Sequence, residues 1–70
     1  MKRVKHWWIR ERHNPQLGVY YVAHGQMTKV AALSYEKESL YGDNRMLCFE
    51  TEADYNAKIK ALKDAGESVS

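Results

Sequence analysis

The sequence lacks a disulfide framework, because it contains a single cysteine, Cys48. That excludes the disulfide-stabilised secreted domains that are common at this length, and one free thiol is typical of proteins in a reducing compartment. We therefore expect a cytoplasmic protein whose stability comes from an apolar core.

Long apolar runs are also missing. A membrane-spanning helix needs about 20 consecutive apolar residues, and the apolar stretch near the N-terminus is interrupted at residues 10–12 by Arg, Glu and Arg. The same interruption argues against a signal peptide. We expect no membrane association.

Residues that catalyse reactions or hold cofactors occur without the spacing that such sites need. His6, His13 and His24 fit no standard metal-binding pattern, and the thiol of Cys48 lies in an apolar run. The four glycines form no phosphate-binding loop. We expect no metal, no cofactor and no enzymatic activity.

The chain length and charge limit what the protein can be. Its 70 residues suffice for one small domain, which buries only about 60% of the surface of its unfolded chain. We predict a single α+β domain over residues 1–66 and a frayed tail over residues 67–70. The net charge is +2, but residues 1–24 carry five Lys or Arg side chains and one Glu. This bias favours a partner with an acidic surface.

The best-defined element is a helix predicted over residues 52–65. Thr51 can accept hydrogen bonds from the free amides at its start, and Gly66 can adopt the left-handed conformation that ends it. Apolar positions at helical spacing predict one stripe that packs on a core: Tyr55, Ile59 and Leu62.

A second helix is predicted from Thr28, as its cap, to Tyr41, with Gly42 after its end. A strand over residues 28–35 is the competing interpretation, and the Ala, Leu, Glu and Lys content favours the helix. Its expected apolar stripe consists of Val30, Leu33, Leu40 and Tyr41.

Strands are predicted over residues 4–11, 19–24 and 45–49. Residues 12–18 contain Asn-Pro and a glycine, which predict a loop longer than a minimal hairpin turn. The third strand is apolar through residues 46–49, as in strands that are covered on both faces.

The predicted order is therefore β-β-α-β-α, with a three-stranded, mainly antiparallel sheet in the spatial order 2-1-3. We expect both helices to pack on one face of this sheet and the other face to remain open. The covered face is expected to take these residues: Trp7, Ile9, Leu33, Tyr55, Ile59 and Leu62.

The open face is the candidate binding site. Its predicted partner-binding residues combine rings with cations: His6, Trp8, Arg10 and Arg12, with Tyr20 or Tyr21 beside them. Such sets suit protein interfaces, where Trp, Tyr and Arg are frequent anchors. They also suit single-stranded nucleic acid, because bases stack on rings and phosphates pair with Arg. Packing of one tryptophan in the core is the third interpretation, since a one-residue shift in register exchanges Trp7 and Trp8.

The leading functional hypothesis is a noncatalytic protein-binding module with Trp8 as anchor and Arg10 and Arg12 at the rim. Its short length and its start at Met1 suit a stand-alone regulator or inhibitor of a host protein complex, of the kind that bacteriophages and prophages encode. One alternative is a nucleic-acid-binding protein that uses the same face. Another is a homodimer formed through the open face, which the apolar third strand favours.

Overall fold

The computed structural model describes residues 4–38 and 42–70. The elements are β1 (Lys5–Asn14), β2 (Gly18–Thr28), α1 (Lys29–Glu36), β3 (Asp43–Phe49) and α2 (Glu52–Asp64). The strands lie in the order β2-β1-β3, and both pairings are antiparallel. The predicted α+β class, element order and strand order 2-1-3 are confirmed.

The hairpin between β1 and β2 is tighter than the sequence indicated. The side-chain oxygen of Asn14 accepts hydrogen bonds from the N–H groups of Gln16 (2.8 Å) and Leu17 (2.9 Å). This local capture of two amides closes the turn within residues 15–17. A loop longer than a minimal two-residue turn is thus present, but its predicted bounds, residues 12–18, are wrong, because Arg12 and His13 are part of the strand ladder.

β2 continues through Gly25, which was expected to end the strand after residue 24. Trp8 pairs with Gly25 and Ile9 with Ala23, so His24 is the extra residue of a β-bulge. Gly25 has a φ of 76°, and its N–H donates to the hydroxyl of Tyr55 at 3.0 Å. The glycine thus permits a bulge and does not break the strand.

The ends of α2 match the prediction. The hydroxyl of Thr51 accepts a hydrogen bond from the N–H of Asp54 at 3.1 Å. At the other end Gly66 has a φ of 83°, and the next N–H, of Glu67, donates to the carbonyl of Leu62 at 2.9 Å. Both termini depend on side chains and backbone close in sequence, so their positions could be predicted.

α1 begins at the predicted cap, where the hydroxyl of Thr28 accepts from the N–H of Ala31 at 3.3 Å. It ends at Glu36, which is earlier than predicted. The predicted helical residues Leu40 and Tyr41 lie outside the described residues. Neither helix in the described ranges has the length and apolarity needed to cross a membrane.

The two helices lie on opposite faces of the sheet. Ile9 is completely buried against Tyr55 and Leu62 of α2, whereas Trp8, 4% exposed, is buried with Ala32 of α1 and Met46. Neighbouring residues of a strand point to opposite faces. The prediction of both helices on one face is therefore wrong. We call the two sides the α1 face and the α2 face.

The wrong placement came from the apolar stripe expected on α1. Val30 is 83% exposed and Leu33 37% exposed, whereas Ala32 is completely buried. The small side chain of Ala32 lets the helix lie close to the ring of Trp8. Burying a tryptophan contributes on the order of 4 kcal/mol, which outweighs the exposure of two aliphatic side chains on so short a helix.

The C-terminal residues pair with the outer edge of β2. Tyr21 donates its N–H to Ser68 O (2.8 Å) and accepts from Ser70 N–H (2.9 Å), and Ala23 donates to Ser70 O (2.9 Å). Val69 forms a parallel bridge with Tyr21 and packs against the core of the α2 face. The frayed tail predicted over residues 67–70 is therefore wrong, because the edge of β2 offers partners for its backbone groups.

We predict that Gly42→Ala lowers the free energy of unfolding by about 3 kcal/mol or more, because a φ of 128° strains any L side chain and the new Cβ would overlap the carbonyl oxygen of His13. Gly66→Ala is the matched control, since its φ is also positive but the space around it is open. It should lose only about 1 kcal/mol. Urea denaturation measures both, and equal losses would contradict the close approach of residue 42 to β1.

Candidate functional site

The structure divides the six predicted partner-binding residues into two groups. Four are half-buried and lie on the α1 face, whereas two are buried in the core. The half-buried residues are His6, Arg10, Arg12 and Tyr20, and the buried residues are Trp8 and Tyr21.

Trp8 forms the centre of the core beneath α1. Its indole Nε1 donates a hydrogen bond to the carbonyl oxygen of Met27 at 3.0 Å, and its ring packs with Ala32 and Met46. The polar and the apolar parts of the side chain are thus both satisfied within the chain. The hypothesis that Trp8 is an exposed binding anchor is therefore wrong.

Tyr21 lies on the α2 face, opposite to the arginines. It pairs across the sheet with Glu11 and packs against Ile9. Burial raises the pKa of Tyr21, and the negative charge of Glu11 adds to the increase. Tyr21 is therefore a core residue, and of the two predicted tyrosines only Tyr20 is available beside the arginines.

Arg12 and Tyr20 are direct cross-strand neighbours on the α1 face. The guanidinium of Arg12 donates to the side-chain oxygen of Asn44 at 3.3 Å. The amide of Asn44 in turn donates to the carbonyls of Tyr35 (2.9 Å) and Glu38 (2.6 Å) at the end of α1. Asn44 thus holds Arg12 in place and fixes the end of α1 to β3.

Arg10 lies over the ring of Tyr35 at 5.2 Å from its centroid, and the ring of His24 packs against the same tyrosine at 4.6 Å. Arg10 makes no ion pair with any described residue. Its Nε and the Nε2 of His24 are buried, and neither has a hydrogen-bond partner among residues 4–38 and 42–70. A guanidinium over an aromatic face is favourable, by about 0.5 to 2 kcal/mol.

These contacts define one continuous site, which we call the arginine–tyrosine surface: Arg10, Arg12, Tyr20, His24 and Tyr35. Sequence reasoning missed the last two. The position of Tyr35, three residues after the buried Ala32, indicates that it lies on the same side of α1. His6 is excluded from the surface because Trp8 and its helical cover lie between it and Arg10.

Burial lowers the pKa of His24, and the positive charge of Arg10 lowers it further. The imidazole is therefore neutral at neutral pH, and the Arg10 guanidinium is the charged group in this part of the surface. On the α2 face, a hydrogen bond from His13 lowers the pKa of Glu11, and their atoms lie 2.6 Å apart.

Other kinds of site have less support. Within the described ranges there is no group of three or more His, Cys, Asp or Glu side chains that could hold a metal ion. A shallow, mainly apolar depression lies at the end of the hairpin, lined in part by His13, Pro15, Val19 and Asp43. It brings together no set of acid, base and nucleophile.

Comparisons with protein-family models, with curated proteins and with solved structures gave no match.

We predict that the wild-type protein loses stability as the pH falls from about 7.5 to 5.5, and that His24→Phe loses less. The pKa of His24 is lower in the folded than in the unfolded state, so the unfolded chain binds the proton first as the pH falls. Phenylalanine keeps the ring contact with Tyr35 and cannot titrate.

Urea denaturation at both pH values measures this difference. His6→Gln is the control, because it leaves His24 in place and should retain the fall. If His24→Phe followed the wild-type pH dependence, the burial of this imidazole would be contradicted.

Proposed function

We propose that the chain is a noncatalytic protein-binding module, and that the arginine–tyrosine surface binds an acidic region of its partner. The observation that carries this proposal is the cross-strand pair of Arg12 and Tyr20, both half-buried, next to the guanidinium of Arg10. Arg and Tyr are enriched among the residues that dominate the energy of protein interfaces.

The positions of the rings favour a protein partner over nucleic acid. Single-stranded nucleic acid needs several exposed rings on which successive bases stack. Of the three predicted rings, Trp8 and Tyr21 are buried in the core, and the face of Tyr35 is taken by Arg10 and His24. Tyr20 is then the one predicted ring beside the arginines, which suits one interface anchor better than a stacking platform.

The contacts of Arg12 also favour binding. Its guanidinium is oriented by Asn44, which is itself held by two carbonyls of the chain. A side chain that is already ordered loses less conformational entropy when a partner binds. The charge of Arg10 has no carboxylate partner among the described residues, so an acidic partner supplies what this surface lacks.

The class of role that we propose is that of a small regulator or inhibitor that acts by occupying a surface of a larger host complex, as accessory proteins of phages and prophages do. The half-buried Arg12 and Tyr20, which are held in place by the sheet and by Asn44, support this class. We propose that it acts in the cytoplasm, which the free thiol supports.

The test is affinity capture from an extract of the cells that express the chain, with quantitative mass spectrometry. Tyr20→Thr removes the ring and keeps a good strand former, and Arg12→Gln removes the charge and keeps an amide donor for Asn44. The controls change exposed neighbours of matching type, Val19→Thr in β2 and Arg45→Gln in β3.

We predict that the wild type and both controls enrich the same protein, and that Tyr20→Thr and Arg12→Gln bind it about 30-fold more weakly, as expected for loss of an anchor worth about 2 kcal/mol. Circular dichroism verifies that all variants are folded. Equal capture by all variants, or capture of no protein, would overturn the proposal.

A titration of labelled mixed-sequence single-stranded DNA separates the two classes of partner. We expect no saturable change in anisotropy at about 0.15 M salt. Saturable binding that weakens steeply with salt and is lost in Arg12→Gln would assign the surface to nucleic acid.

A further inference from the structure

The outer edge of β3 carries unpaired backbone groups around Cys48. The N–H of Met46 points away from β1, because it donates to the carboxylate of Glu36 at 2.9 Å. In an antiparallel strand, backbone groups of alternate residues point to the same side. The N–H and C=O of Cys48, two residues later, therefore also point outward.

The opposite edge of the sheet gives the same pattern independently. Tyr21 and Ala23 of β2 direct their backbone groups outward to the C-terminal residues. Their cross-strand neighbours in β1 are Glu11 and Ile9, whose backbone N–H and C=O groups must therefore point to β3. Because Ile9 pairs with Leu47, the backbone groups of Leu47 point inward to β1. The backbone groups of the next residue, Cys48, therefore point outward.

The two edges are protected to different degrees. The edge of β2 is occupied by residues 68–70, and Glu36 occupies the edge of β3 at Met46. At Cys48, no described residue hydrogen-bonds to the outward N–H and C=O, and the side chain is exposed. Open edge groups of this kind readily pair with another strand.

An exposed leucine of α1 borders this open stretch. Leu33 precedes Glu36 by three residues and therefore lies on the same side of α1. Since the carboxylate of Glu36 reaches the β3 edge, Leu33 lies along that edge towards Cys48, and it is 37% exposed. An exposed apolar side chain beside an open strand edge adds apolar area to a contact made there.

We propose that this edge binds a second copy of the chain, with the two β3 strands antiparallel about a twofold axis at Cys48. Each Cys48 then donates its N–H to the other copy's Cys48 carbonyl. The same register places Leu47 of each copy opposite Phe49 of the other, so that two half-buried apolar residues of the α2 face meet. The result is a six-stranded sheet across the dimer.

Self-complementarity favours a second copy over an unrelated extended segment. We call the contact between the two β3 edges the dimer seam. Glu36 limits it at Met46, and the chain turns into α2 after Thr51. Only a short stretch of the β3 edge remains for pairing, and in the twofold register the outward N–H and C=O groups of this stretch pair with those of the other copy. Closed twofold dimers need only such a self-complementary patch. Because the seam is short, we expect a dissociation constant on the order of tens of micromolar.

The proposal is tested by sedimentation equilibrium from about 10 to 500 μM, the range around the dissociation constant expected for a small interface. Cys48→Lys places two like charges opposite each other on an exposed edge, and Cys48→Ser is the matched control that keeps the pairing. We expect the wild type and Cys48→Ser to dimerise equally and Cys48→Lys to stay monomeric with unchanged thermal unfolding.

Oxidation of the thiol gives a second readout. Facing residues of a hydrogen-bonded antiparallel pair have Cα atoms about 5.5 Å apart, which lies within the range of about 4.4 to 6.8 Å that a disulfide spans. A mild thiol oxidant should therefore convert the wild type to a covalent dimer, with Cys48 as its one cysteine, and Leu33→Lys should slow this conversion.

A wild type that remains monomeric at the highest concentration would overturn the proposal, as would a Cys48→Lys protein that dimerises like the wild type. The arginine–tyrosine surface does not contribute to this seam, so Tyr20→Thr should dimerise normally. Failure of either proposal therefore leaves the other intact.

Discussion

The fold depends on the placement of two large apolar side chains at successive positions of the central strand. Trp8 and Ile9 point to opposite faces of β1, and both are almost completely buried. A three-stranded sheet with one open face could not bury both. Each helix therefore covers one of them, α2 over Ile9 and α1 over Trp8.

This constraint also determines which polar side chains remain accessible. α1 covers the α1 face around Trp8 and ends at Glu36, where Asn44 fixes the end of the helix through two carbonyls. Arg12 and Tyr20 lie beyond the covered part of that face. The same helix places Glu36 at one position of the β3 edge and leaves Cys48 open. The core, the proposed binding surface and the proposed dimer seam thus depend on where α1 lies.

The sequence predicted the features that depend on neighbouring residues or on chain connectivity. The cap at Thr51 and the ending at Gly66 are local. The strand order follows because α1 crosses from β2 to β3, which run parallel to each other and both pair antiparallel with β1. The bounds of the hairpin loop were missed because they depend on the orientation of one side chain, Asn14. The bulge at His24 was missed because glycine was taken only as a strand breaker.

Part of the candidate site could be predicted as well. Alternation along β1 correctly placed Arg10 and Arg12 on the face of Trp8, but periodicity cannot show which face a distant helix covers. The prediction that Trp8 is exposed was consequently wrong. Tyr35 was overlooked because the apolar stripe of α1 was assigned to Val30 and Leu33. Which face a helix covers is a tertiary property, set here by the fit of Ala32 against an indole ring.

The most direct test of this account is amide and indole hydrogen exchange measured by NMR. The Nε1–H of Trp8 is buried and bonded to the carbonyl of Met27, so we predict that it exchanges on the timescale of global unfolding. The indole N–H of the half-buried Trp7 should exchange faster. If the Trp8 indole exchanged as fast as that of Trp7, α1 would not cover this face, and the account of the core would be contradicted.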